Sequence, residues 1–147
     1  MPAGYSGTPL PKKLGIKPGH RVLLLGAPRG FEQTLGALPE GVAVANASRG
    51  TKPFDVIVLF ALDERALRAG FEPARARLQS DGGLWIAWPK KSSGLQTDLG
   101  DAMVRAHVLA SGLVDNKVCA LDETWSGLRF VVRLEDRPGA ATPRRKA

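Results

Sequence analysis

Four consecutive side chains carry the strongest chemical signal in the sequence: Lys90, Lys91, Ser92 and Ser93. Two ammonium groups and two hydroxyls in one loop are donors suited to a phosphate, a carboxylate or a nucleic-acid backbone. The alternative is a solvated loop whose lysines pair with Asp122 or Glu123, worth under about 1 kcal/mol if exposed. A second stretch, Gly26-Ala27-Pro28-Arg29-Gly30, lies between an apolar run and a helix-like segment. A helix N-terminus there favours anions, and Arg29 adds a charge. The stretch matches neither GxGxxG nor GxxxxGK[ST], so a plain strand-to-helix turn is the competing reading. Trp125, set among the hydroxyls and acids of the segment 122–127, suits stacking on a base or ring, or capping the core. No Ser–His–Asp, Cys–His or paired-carboxylate spacing is legible. His20 before a strand and His107 on a helix read as ordinary residues.

These groups need elements to position them. Gly82-Gly83-Leu84-Trp85-Ile86-Ala87-Trp88-Pro89 reads as a buried strand that delivers the lysine loop to the surface. Trp85 and Trp88 fall on opposite faces and read as core. Arg21 to Leu25 and Asp55 to Ala61 are further apolar strands, and Val42 to Ala45 a short one. Helices are expected from Pro9 to just before Gly15, over Phe31 to Leu38, and from Asp63 as N-cap, with Glu64 in the favourable first turn. Gly70 and Pro73 predict a kink there, or two short helices. Ser80-Asp81-Gly82-Gly83 reads as a turn. A last helix starts at Thr97 or Asp98 with Leu99, Met103, Ala106 and Leu109/Ala110 on one face, and Gly112 at its end. Asp115-Asn116-Lys117 reads as a turn before two closing strands, about Lys117–Leu121 and Leu128 to residue 134. Their six-residue connection, Asp122 to Gly127, is too short for a crossover and predicts an antiparallel hairpin.

Alternating strands and helices with apolar central strands give a three-layer α/β domain over residues 8–134, with about six strands, mostly parallel. Residues 1–7 are expected to be flexible and the basic tail 135–147 disordered. In such a sheet ligands sit beyond the carboxyl ends of the strands, where the strand order reverses. Gly26, Arg29, Gly30, Asp63, Lys90, Lys91, Ser92, Ser93 and Trp125 should then share one rim.

Composition narrows the options. Of the net charge of +7, Lys12, Lys13 and Lys17 supply +3 and residues 135–147 supply +2, leaving +2 for the body. The basic excess therefore points only weakly to nucleic acid. Cys119 is the single cysteine, so no disulfide framework or cysteine-based zinc cluster is expected, and no metal site. No signal peptide is legible at the start and no apolar run is long enough for a bilayer, so a cytoplasmic protein without membrane contact is expected.

The segments Gly15 to Gly26, Val56 to Phe60 and Gly82 to Ile86, with the reversed final strand, resemble the Rossmann-like methyltransferases that use S-adenosylmethionine. The resemblance covers roughly Leu14 to residue 134. Within that class, Trp88-Pro89-Lys90-Lys91-Ser92-Ser93-Gly94 and Asp122-Glu123-Thr124-Trp125-Ser126-Gly127 resemble a family of short bacterial proteins known only as a domain of unknown function. The wider resemblance implies S-adenosylmethionine as the cofactor. Two departures bear on it. Leu24 stands at the acidic position of the first motif and Pro28 at its middle glycine. Asn46 stands where a carboxylate accepts the ribose hydroxyls. Loss of a charged partner forfeits about 1.5–3 kcal/mol, roughly ten- to a hundredfold in affinity. The segment 46–55 also leaves no room for one strand–helix unit, so six strands replace the usual seven.

Three functions follow as expectations. The first is a methyltransferase-like protein without catalytic machinery, binding an anionic small molecule or a protein partner at the lysine rim. The second is a divergent S-adenosylmethionine-dependent methyltransferase. The third is a nucleic-acid-binding accessory protein that uses the basic ends and the rim.

Overall fold

The computed structural model describes residues 9–47, 50, 52–133 and 136. The expected flexible start 1–7 and, Asp136 apart, the basic tail 135–147 lie outside the described residues. Six strands form one sheet in the order β2-β1-β3-β4-β6-β5. They are β1 (Arg21–Leu25), β2 (Ala43–Ala45), β3 (Phe54–Phe60), β4 (Leu78–Pro89), β5 (Leu113–Ala120) and β6 (Trp125–Val132). The pairs β1–β2, β1–β3 and β3–β4 are parallel. β6 runs antiparallel to β4 and to β5, which closes the sheet with the expected hairpin.

Side-chain alternation along the strands builds two cores. On one face Val22, Leu24, Val58, Phe60, Trp85 and Ala87 pack under Leu10 and Leu14 of α1 (Leu10–Leu14) and Phe31 and Leu35 of α2 (Phe31–Leu35). On the other, Leu23, Ile57, Leu59, Ile86, Trp88 and Phe130 pack under Leu67 and Phe71 of α3 (Glu64–Ala76) and Val104 and Val108 of α4 (Asp101–Leu109). Trp85 and Trp88 thus serve opposite cores, and the Trp85 indole donates to the Leu14 carbonyl at 3.1 Å. Every residue from Gly82 to Pro89 is buried, as a central strand covered on both faces requires. Among the described residues no helix is long and apolar enough to cross a membrane.

Five local expectations need correction. α2 stops at Leu35 because Gly36, at φ 81°, ends it before Leu38. α3 is one helix across Gly70 and Pro73. The carbonyl that Pro73 leaves unbonded belongs to Ala69 on the exposed face, where water can reach it. Gly70 lets the helix lie close on β3, since a Cβ there would stand 2.7 Å from Leu59 Cδ1. Ser80-Asp81-Gly82-Gly83 is not a turn but an irregular part of β4, where the register shifts between Phe54 and Val56 of β3. Its glycines are packing residues: a Cβ at Gly82 would stand 2.5 Å from the Asp55 carbonyl oxygen, and at Gly83 2.4 Å from Arg129 Nε. Asp115-Asn116-Lys117 lies inside β5 with a register shift, and Asp115 accepts from Arg105 Nε at 3.0 Å. Finally, α4 begins after Gly100, so Val104 and Val108 face the core while Met103 and Leu109 are exposed.

Candidate functional site

The carboxyl ends of β2, β1, β3 and β4 and the turn before β6 line one edge of the sheet in that order. At its centre is the turn after β1. Gly26 has φ 71°, and a Cβ there would lie 2.9 Å from the Phe60 carbonyl oxygen of β3. Only glycine lets β1 turn this close to β3. The chain then runs through Pro28, and Gly30, also left-handed at φ 82°, opens α2. This loop and the end of β2 enclose a cleft of about 700 Å³, lined by Leu24, Gly26, Arg29, Gly30, Glu32 and Asn46 among others. Arg29 and Glu32, both exposed, are its charged lining residues. Asn46 supplies an amide at the end of β2. Leu24, 1% exposed, contributes a purely apolar wall.

The lysine loop is built two strands away, about 10 Å across the sheet from β1. Pro89 pairs with Trp125, and Lys90 N–H donates to the Thr124 carbonyl at 2.8 Å. These contacts bring the 122–124 turn onto the same edge as the lysines. Lys91–Ser93 forms a single 3-10 turn. Ser93 Oγ donates to the Lys90 carbonyl at 2.7 Å and accepts from Leu95 N–H at 3.1 Å. The Ser93 hydroxyl therefore holds the loop together, while Ser92 and Lys91 are exposed and Lys90 half-buried. The competing reading's pairing of the lysines with Asp122 or Glu123 is not formed. Asp122 Oδ1 accepts from Thr124 N–H and Trp125 N–H, both at 2.8 Å, which fixes the turn instead.

Of the remaining candidates, Asp63 is the N-cap of α3, accepting from Ala66 N–H at 2.9 Å. Asp98 reaches the same helix end and accepts from Glu64 N–H at 2.8 Å. The Trp125 ring is only 6% exposed and packs edge-on to Phe60 at 5.1 Å, so it caps the core rather than offering a stacking platform. Phe60 in turn meets Phe31 at 4.8 Å, so three rings run beneath the edge from the cleft to the 122–125 turn. Gly26, Arg29 and Gly30 thus gather at the cleft. Lys90, Lys91, Ser92 and Ser93 gather at the other end of the edge, and the cleft walls include none of them. Glu32 and Gln33, absent from the sequence expectations, also line the cleft. Their position in the first turn after a strand–glycine loop was the available signal. Among the described residues no group of three or more His, Cys, Asp or Glu side chains is placed to hold a metal.

No family model and no curated protein matches the sequence, so the resemblance to a short bacterial domain family finds no support there. Solved structures do match. The N-methyltransferase NodS from Bradyrhizobium japonicum superposes with a TM-score of 0.53 at 15% identity, covering 86% of this chain and 98% of the other. A ribosomal-protein methylase from Lactobacillus delbrueckii subsp. bulgaricus gives 0.56 at 14%, covering 84% and 75%. Fibrillarin from Aeropyrum pernix, in complex with natively bound S-adenosyl-L-methionine, gives 0.51 at 17%, covering 87% and 70%. At these identities the likeness shows the fold: a methyltransferase-like Rossmann sheet with an antiparallel C-terminal pair.

Proposed function

We propose that this chain is a divergent S-adenosylmethionine-dependent methyltransferase that holds its cofactor in the cleft between the turn after β1 and the end of β2. The observation that supports this most is the position of that cleft. A space of about 700 Å³ opens at the carboxyl edge, on a fold shared with enzymes that carry this cofactor. The size suits a nucleoside-sized ligand. Asn46 would face the ribose, the Gly26–Gly30 backbone would pass beside the ligand, and Arg29 would meet its carboxylate. Glu32 is the carboxylate that the cleft wall retains. When bound, the cofactor would supply an activated methyl group. The chain's own part is to bind and orient, which removes the entropic cost of bringing the reactants into line. The half-buried Cys119 suits the cytoplasmic setting that goes with this proposal. The narrower resemblance to the short bacterial domain family adds no activity to it.

A second reading is a non-catalytic protein that binds an anionic nucleotide-like molecule in the same cleft. It is favoured by the loss of both acidic positions, at Leu24 and Asn46, alongside Arg29. Thermal denaturation separates the two. S-adenosylhomocysteine at a hundred times its Kd stabilises by about 2.7 kcal/mol, a rise of roughly 5–10 °C for this size. Asn46→Ala should lower that affinity about tenfold. No rise at millimolar S-adenosylhomocysteine overturns the methyltransferase reading, and a rise with nucleoside phosphates alone establishes the second.

A further inference from the structure

We infer that Arg29 and Glu32 act together to read a zwitterionic α-amino acid group, Arg29 taking its carboxylate and Glu32 its ammonium. The inference rests on the cofactor reading above and names the residues that select one end of that ligand. Three observations carry it. First, the cleft is balanced in charge. Arg29 and Glu32 are the charged residues of its wall, one of each sign, and Gln33 and Asn46 are neutral amides. A phosphate gains little there, because Glu32 repels what Arg29 attracts. Second, neither charge is engaged. Among the described residues no hydrogen bond or ion pair reaches the Arg29 guanidinium or the Glu32 carboxylate, and the two do not pair with each other. A group with an ammonium and a carboxylate on one carbon bridges two such side chains and satisfies both.

Third, the local fold leaves these two residues to do it. Leu24 is apolar and 1% exposed, so the end of β1 offers nothing to an ammonium. Arg29 immediately precedes Gly30, whose left-handed φ of 82° opens α2. Phe31 is 2% exposed and packs edge-on to Phe60 at 4.8 Å, which anchors the first turn of α2. The next residue, Glu32, is left exposed at the cleft and is the first carboxylate in the chain after β1. The acidic contact is thereby moved from the strand end to the helix. A cleft of about 700 Å³ is larger than a free amino acid fills, so the amino acid group is one end of a nucleoside-sized ligand.

Titration calorimetry of the full chain with three adenosine ligands tests it. S-adenosylhomocysteine carries the amino acid, methylthioadenosine lacks it, and adenosine monophosphate puts an anion in its place. The parent should bind S-adenosylhomocysteine at least about tenfold tighter than either of the others. Glu32→Gln should weaken S-adenosylhomocysteine about tenfold, leave methylthioadenosine unchanged and strengthen the monophosphate. Arg29→Gln should weaken both S-adenosylhomocysteine and the monophosphate and leave methylthioadenosine unchanged. Both side chains are exposed, so the variants should keep the parent melting temperature without ligand. The inference is overturned, with the cofactor reading intact, if methylthioadenosine binds as tightly as S-adenosylhomocysteine or if Glu32→Gln weakens the two alike. Tighter binding of the monophosphate than of S-adenosylhomocysteine overturns it in favour of an anionic ligand. No binding of any of the three at millimolar concentration overturns the cofactor reading and this inference with it.

Discussion

Replacing Gly26 by alanine isolates the contact that shapes the cleft. Two costs add. A residue with a Cβ at φ 71° bears about 1–2 kcal/mol of left-handed strain. That Cβ also lies 2.9 Å from the Phe60 carbonyl oxygen, a backbone atom at the end of β3 that cannot swing aside as a side chain could. Overpacking of this kind costs about 1–3 kcal/mol more. The sum of about 2–5 kcal/mol lowers the melting temperature by roughly 4–20 °C. Gly94→Ala supplies the reference, because Gly94 has φ 81° with nothing within 4 Å of its Cβ position. It should show only the strain, roughly 2–8 °C. Circular dichroism melts of the two variants and the parent, under one buffer, measure the difference. If both variants fall by the same amount, the close approach of β1 to β3 at Phe60 contributes nothing. The account of why this turn needs glycine would then be wrong.

Two further expectations can be checked alongside. Trp85→Phe removes the indole donor to Leu14 and leaves a buried carbonyl unsatisfied, so denaturant unfolding should show a loss of about 1–3 kcal/mol; a loss below the error of the measurement would mean that water replaces the indole. Burial pushes the Cys119 thiol up, against the weaker opposing pull of Lys13 and Lys117. Its thiolate fraction near neutral pH is therefore small, and alkylation by iodoacetamide should be slower than that of a free thiol and should still be rising above pH 9. A rate that levels off near neutral pH would contradict this environment.

The sheet was readable where burial dictates residue type. Arg21–Leu25 and the apolar run ending at Phe60 could only be covered strands. The shortness of the 122–127 segment left an antiparallel hairpin as its one solution. Glycines were the main source of error. Gly82 and Gly83 look like turn residues in a string of letters, but they sit in β4 because Asp55 and Arg129 occupy the space a side chain would fill. Gly70 looks like a helix breaker for the same reason, and instead admits Leu59. Close approach between distant segments has no local signature. The same holds for the site. That the lysine loop meets the 122–124 turn followed from strand directions alone. That Trp125 turns inward against Phe60, and that Glu32 rather than Lys90 borders the cleft, depends on packing that spacing does not encode.

The short edge strand β2 has a kinetic consequence. It joins the sheet only through Arg21–Ala43, Val22–Val44 and Leu23–Ala45, and among the described residues no further strand lies outside it. Elements held by so few rungs open long before the domain unfolds. When β2 detaches, Asn46 leaves with it, and the cleft loses one wall while the β3–β4 centre stays intact. If the proposed cofactor binds there, its entry and exit would need no larger motion. A bound molecule bridging Gly26 and Asn46 would in turn slow amide hydrogen exchange at Ala43 to Ala45 more than at any central strand.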